Sequence, residues 1–97
     1  TQDVTGFGFN PTAVKICMNV DGGVAASWGE VGQSGQTSLR IRTSQNFALN
    51  NASAIIYDDL TNRNTGTVSF ITDGIRITWV KTLTPTNTID FRILGMK

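Results

Sequence analysis

The chain has 97 residues, too few for a second hydrophobic core, and reads as a single domain over residues 1–97. A chain of this size buries about 60–70% of its unfolded surface, enough for an ordinary core. Its net charge is +1 and only 15% of its residues are charged, so no field draws it to nucleic acid or to an anionic membrane.

No stretch approaches the ~20 apolar residues of a membrane-spanning helix, and no apolar signal core opens the chain. Thr1 is a small residue of the kind left when an initiator Met is trimmed, which leads us to expect a nearly whole gene product made in the cytoplasm. Period-two alternation dominates and nothing reads as a helix of useful length. A short segment around Val4 comes first. Val14, Ile16, Met18 and Val20 then alternate with Lys15, Cys17 and Asn19 and stop at Asp21-Gly22-Gly23, residues that tolerate the positive φ of a tight hairpin. Val24 to Val31, carrying Trp28, returns as a second strand. Beyond the breaker Gly32-Gln33-Ser34-Gly35, Leu39, Ile41 and Thr43 alternate with Arg40 and Arg42. The expectation there is one apolar face and one bearing two guanidiniums.

Ser44 to Asn51 reads as a longer connection anchored by Phe47 and Leu49. Ala52 to Asp58 is nearly continuously apolar and is expected to be a central strand. The loop from Asp59 to Gly66 leads to Thr67–Thr72. Asp73-Gly74 is a second hairpin signal, followed by Ile75, Ile77 and Trp79 alternating with Arg76 and Thr78. Thr84-Pro85-Thr86-Asn87 turns the chain into Thr88–Leu94, where Ile89, Phe91 and Ile93 face one way and Asp90 and Arg92 the other. About eight short strands at this spacing predict an all-β, antiparallel β-sandwich, with a jelly-roll among the topologies open to it.

The chemistry is mostly missing. There is no histidine, one cysteine and one glutamate, so neither a Ser-His-Asp relay nor a zinc ligand set can be assembled. Cys17 reads as a half-buried strand residue. Asp58 and Asp59 are adjacent, and on a strand adjacent side chains point to opposite faces, which defeats a glycosidase dyad from this pair. Gly6-Phe7-Gly8-Phe9-Asn10-Pro11 begins like a dinucleotide fingerprint, but it lacks the third glycine and the following helix. Asp58, Asp59, Asn62 and Asn64 are oxygen-rich enough for calcium, yet such residues crowd hairpin loops for conformational reasons alone. Asn51-Ala52-Ser53 is formally a glycosylation acceptor, relevant only in a secreted eukaryotic protein. Arg40, Arg42, Arg76 and Arg92 are expected on solvated strand faces with cross-strand charge pairs. Trp28 and Trp79 are expected in the core; an exposed Trp28 beside a polar cleft would instead favour a glycan. No catalytic, cofactor-binding or metal residue is assigned, and the chain reads as a non-enzyme.

Three segments together resemble a recurrent module of tailed-phage and prophage structural proteins. Thr5-Gly6-Phe7-Gly8-Phe9-Asn10-Pro11-Thr12-Ala13-Val14 resembles that family's opening, Thr72-Asp73-Gly74-Ile75-Arg76-Ile77-Thr78-Trp79 its penultimate hairpin, and Ile89-Asp90-Phe91-Arg92-Ile93-Leu94-Gly95 its closing strand. Ile75 stands where the family usually has Phe, and the resemblance does not extend over Val24 to Thr65. It implies a β-sandwich carried on virions, in the capsid shell or in the tail, with no shared catalytic residues to transfer. A free-standing domain of this length then suits a capsid decoration (cement) protein. The partners implied are the major capsid protein or other virion proteins, and the working unit is expected to be a homo-oligomer, a trimer matching three-fold lattice positions. Two other classes stay open: a receptor- or glycan-binding module of a tail fibre, and a subunit of an extracellular filament joined by strand addition.

If no metal is needed, the thermal midpoint should be the same in chelator and in millimolar calcium, because a ligand that binds only the native state must raise it. A large upward shift with calcium would direct attention to Asp58–Asn64.

Overall fold

A computed structural model describes residues 1–20, 25–42, 47–58, 62–83 and 89–97, without the side chains of residues 20, 25, 42, 47–50, 57 and 58. Nine strands follow one another: β1 (Gln2–Thr5), β2 (Ala13–Val20), β3 (Ala25–Gly32), β4 (Gly35–Arg42), β5 (Phe47–Asn50), β6 (Ile55–Asp58), β7 (Arg63–Ile71), β8 (Gly74–Thr82) and β9 (Ile89–Met96). They form two antiparallel sheets, one ordered β1-β8-β7-β6 and the other β5-β4-β3-β2-β9.

The expected sandwich is present. Each sheet is a meander completed by a strand from the far end of the chain: β1 joins β8, and β9 joins β2. This connectivity differs from the paired Greek keys of a jelly-roll. The turns at Asp21-Gly22-Gly23 and Thr84-Pro85-Thr86-Asn87, and the loop residues Asp59-Leu60-Thr61, lie outside the described residues.

Alternation places the core as expected. Val14, Ile16 and Met18 of β2 meet Ile75 and Ile77 of β8, Val68 of β7 and the segment Ala54-Ile55, with Trp79, Ile89, Phe91 and Ile93 packed at the margin. The connection expected over Ser44–Asn51 contains a strand, β5, paired with β4. Of the apolar run expected over Ala52–Asp58, Ser53, Ala54, Ile55 and Ile56 are buried, but not in a central strand. β6 closes the edge of its own sheet and is covered because it lies across β2, β3 and β4 of the other.

That crossing is tight. A Cβ on Gly29 would lie 1.8 Å from the Ala54 carbonyl oxygen, so only glycine fits there. Beside it, the Ile56 N–H donates to Ser27 Oγ at 3.3 Å. Since β6 pairs with β7 only as far as Gly66, the next inward residue, Val68, lies beyond its reach. The Gln36 side chain takes over from the opposite sheet, accepting from Val68 N–H at 2.9 Å and donating to its carbonyl at 3.2 Å. An amide here does the work of a strand, and two backbone groups that would otherwise be costly to bury are satisfied.

The chain passes from β1 in one sheet to β2 in the other through residues 6–12, and this passage is clasped by the β7–β8 hairpin. Asp73 sits in the hairpin turn at φ 64°. Its carboxylate accepts from Gly6 N–H at 2.9 Å and Gly8 N–H at 2.6 Å, its carbonyl from Phe7 N–H at 3.2 Å, and its own N–H donates to Asn10 Oδ1 at 2.8 Å. Gly6 and Gly8 adopt φ values of 92° and 79°, which side chains rarely tolerate. Phe7 packs edge-on to Phe9 at 6.0 Å and lies where a Cβ on Gly95 would stand.

Replacing Asp73 with Ala removes two charge-assisted acceptors and puts a non-polar residue at positive φ, and should cost about 2–4 kcal/mol. Asp73→Asn, which keeps the backbone preference and one acceptor, should cost less than half as much. Equal losses in urea denaturation would contradict the clasp.

Candidate functional site

The two outer faces of the sandwich differ in kind. On the four-stranded sheet, Thr67 stands opposite Thr78 and Ser69 opposite Arg76, which in turn stands opposite Asp3. The Arg76 guanidinium grips both Asp3 oxygens, Nε–H to Oδ1 at 2.7 Å and Nη2–H to Oδ2 at 2.9 Å. These bonds hold the Asp3 carboxyl below its ordinary value and raise Arg76 above its own. Asp3 therefore favours the fold above the pKa it has in the unfolded chain, and that contribution fades as pH falls through its depressed folded value. This is a mainly hydroxyl-bearing surface with the expected cross-strand ion pair, on which Val80, opposite Thr65, is the exposed apolar side chain.

The outer face of the five-stranded sheet carries three rows of side chains set by the registers of β9, β2, β3 and β4. One row runs Arg92, Cys17, Trp28, Leu39; a second Leu94, Lys15, Glu30, Thr37; a third Asp90, Asn19, Ala26, Ile41. Trp28 is 46% exposed, Ile41 38% and Leu94 61%. Lys15 and Glu30 approach to 3.8 Å with both side chains in solvent, a contact of little energetic weight. Between the strands lies a shallow depression of about 500 Å³, bordered by Lys15, Cys17, Trp28, Glu30, Arg92 and Leu94.

Several expectations are corrected here. Trp28 is on the surface, not in the core, whereas Trp79 is half-buried, tilted against Phe91 at 6.4 Å and bonded through Nε1–H to Gln2 Oε1 at 3.1 Å. Cys17 is exposed, not half-buried. On β4 the apolar and polar faces are exchanged: Leu39 and Ile41 point outward, while Ser38 and Arg40 point inward, Arg40 being only 7% exposed. The register explains this, since Arg40 stands opposite inward Ser27 and Leu39 opposite outward Trp28. The signal lay in β3, whose Ser27 and Gly29 are too small to be the apolar side of an ordinary strand. They are small because the other sheet presses on them.

Asn64 is buried within β7 and not presented in a loop. Of the other residues in the calcium reading, Asn62 is half-buried just before β7, whereas Asp59 and the side chain of Asp58, like that of Arg42, lie outside the described residues. Among the described residues no group of three His, Cys, Asp or Glu side chains converges on a point, and no helix is long and apolar enough to cross a membrane. What the outer face of the five-stranded sheet can do is adhere. Burying an exposed Trp or Leu side chain against a partner contributes about 1–3 kcal/mol. No family model, no curated protein and no solved structure matches this chain.

Because Trp28 contributes little to the interior, Trp28→Thr should change unfolding free energy by no more than about 0.5 kcal/mol. Trp79→Ala should cost about 2–4 kcal/mol. Similar losses for the two in urea titrations would place Trp28 in the core after all.

Proposed function

We propose that this chain is a non-enzymatic virion structural protein, a capsid decoration domain that adheres to a shell of major capsid protein through the outer face of its five-stranded sheet. The carrying observation is the contrast between the two outer faces. One is a mainly hydroxyl-bearing sheet surface on which Val80 is exposed; the other exposes Trp28, Ile41 and Leu94 in adjacent rows, with Leu39 half-buried beside Trp28. Aromatic and aliphatic side chains grouped on a rigid sheet are what the buried centre of a protein interface is made of. The phage-module resemblance of the flanking segments supplies the virion setting.

A second reading, a glycan- or receptor-binding module of a tail fibre, draws on the exposure of Trp28 itself. An aromatic ring binds a sugar when hydrogen-bonding groups stand around it to take the hydroxyls. The lateral neighbours of Trp28 are Cys17 and Leu39, and the nearby Glu30 carboxylate already faces Lys15. The balance favours a protein surface. A domain this small offers a modest footprint, so single copies bind weakly and a homo-oligomer on a repeating lattice binds well.

Co-sedimentation with shells of the phage that encodes the chain tests this. Wild-type protein should pellet with shells, and the binding should weaken only mildly between low and moderate salt. Trp28→Asp and Leu94→Asp should each lower the affinity tenfold or more, while Thr78→Asp on the opposite face should leave it unchanged. A chain that ignores shells and binds a glycan array through Trp28 would overturn the decoration reading in favour of the fibre module.

A further inference from the structure

The five-stranded sheet ends at β9, which has β2 on one side and, among the described residues, no strand on the other. The side chains that β9 sends inward, Ile89, Phe91 and Ile93, are only half-buried, whereas Val14, Ile16 and Met18 on the adjoining strand are 2% exposed or less. The interior is open along this edge. The N-terminal loop closes only its far end, where Phe7 lies on Gly95.

The open stretch has an unusual order. Ile89-Asp90-Phe91-Arg92-Ile93 reads as a chemical palindrome, apolar, acidic, aromatic, basic, apolar. We propose that β9 pairs antiparallel with β9 of a second copy about a two-fold axis through Phe91, making one continuous sheet across both copies. Phe91 then faces its counterpart and Ile89 faces Ile93 of the second copy on the interior side. Asp90 faces Arg92 of the second copy, twice, on the solvent side.

Register is selected by charge. A shift of two residues one way sets Asp90 against Asp90, and a shift the other way sets Arg92 against Arg92; like charges directly opposite are unfavourable. A shift of one residue mismatches the two faces. Within a single copy the neighbours of Asp90 and Arg92 across β2 are Asn19 and Cys17, and among the described residues neither charge has an ion-pair partner. The isologous contact closes on itself, so it yields a dimer and not a fibre.

A two-fold axis normal to the sheet also keeps both Trp28 faces on the same side, where they can engage one surface together. The pairing is independent of what that surface is. It replaces the three-fold assembly suggested by lattice geometry alone, because only the two-fold arrangement uses the palindrome.

The test needs the 97-residue chain alone, by sedimentation velocity across a concentration series at low salt. Wild type should dimerise. Asp90→Arg and Arg92→Asp should each weaken the dimer about tenfold or more, since each turns two attractive pairs into two repulsive ones. The double variant carrying both changes should recover wild-type affinity, and an equimolar mixture of the two single variants should form heterodimers. Both side chains are exposed, and recovery in the mixture shows that each single variant is folded. A monomer at all concentrations, a trimer, single variants that dimerise as well as wild type, or a mixture that stays monomeric would each overturn the proposal.

Discussion

One carboxylate, that of Asp73, fixes the passage of the chain from one sheet to the other. The first strand belongs to one sheet and the second to the other, so residues 6–12 must cross the open end of the sandwich with their backbone exposed to water on one side and the core on the other. Such a crossing leaves N–H groups that neither sheet can satisfy, and a bond to an ionised acceptor holds them in one geometry where water would not. Asp73 resolves this by sitting in the turn of the β7–β8 hairpin with both oxygens turned toward Gly6 and Gly8. The loop so fixed delivers Phe7 onto Gly95 of β9, and Thr12 N–H reaches the Met96 carbonyl at 2.8 Å. The two ends of the chain are thereby fastened to a hairpin near its end, and both sheets acquire their last strand.

The sheets are pressed together where Gly29 meets Ala54, and the interior beneath β3 and β4 is partly polar. Small and polar groups fill that part: Ser27, Ser38, Ser53 and Asn64 are buried there together with Arg40. The apolar residues of β4 then have only the outside to occupy. The outward band of Ile41 and half-buried Leu39 beside Trp28 thus follows from the register that turns Ser38 and Arg40 inward. Such a band costs little in a folded monomer but carries an association liability, which is why it reads as a contact surface.

The legible parts of the fold were those where burial is deep. In β2, β8 and β9 the large apolar residues mostly alternate, with Val80 and Leu94 as outward exceptions, and each inward residue expected there lies in or against the core. The same rule fails on β4, because period-two alternation identifies two faces without saying which is inward. There the opposing strand decides, through pairs such as Arg40 with Ser27 that no local pattern encodes. The apolar run Ala52–Asp58 reads as a central strand for a related reason. Burial by a facing sheet and burial between neighbouring strands leave the same mark on composition. The candidate site was illegible as a site, since it is assembled from four strands whose outward residues are individually ordinary.

That division bears on how far the phage resemblance reaches. The three segments that carry it, Thr5–Val14, Thr72–Trp79 and Ile89–Gly95, converge on the clasp: the loop, the hairpin that holds it and the strand on which Phe7 rests. Each has a structural reason to look as it does, in positive φ at Gly6, Gly8 and Asp73 and in the absent side chain at Gly95. Trp28, Leu39 and Ile41 fall in the stretch that does not share the resemblance. The clasped segments thus account for how the sandwich closes, while the outward side chains of the five-stranded sheet come both from the middle strands, at Trp28, Leu39 and Ile41, and from the closing strand, at Leu94. The outward residues of β3 and β4 take no part in the clasp, so substitutions at Trp28 and Ile41 change what the sheet presents without touching the bonds that close the sandwich.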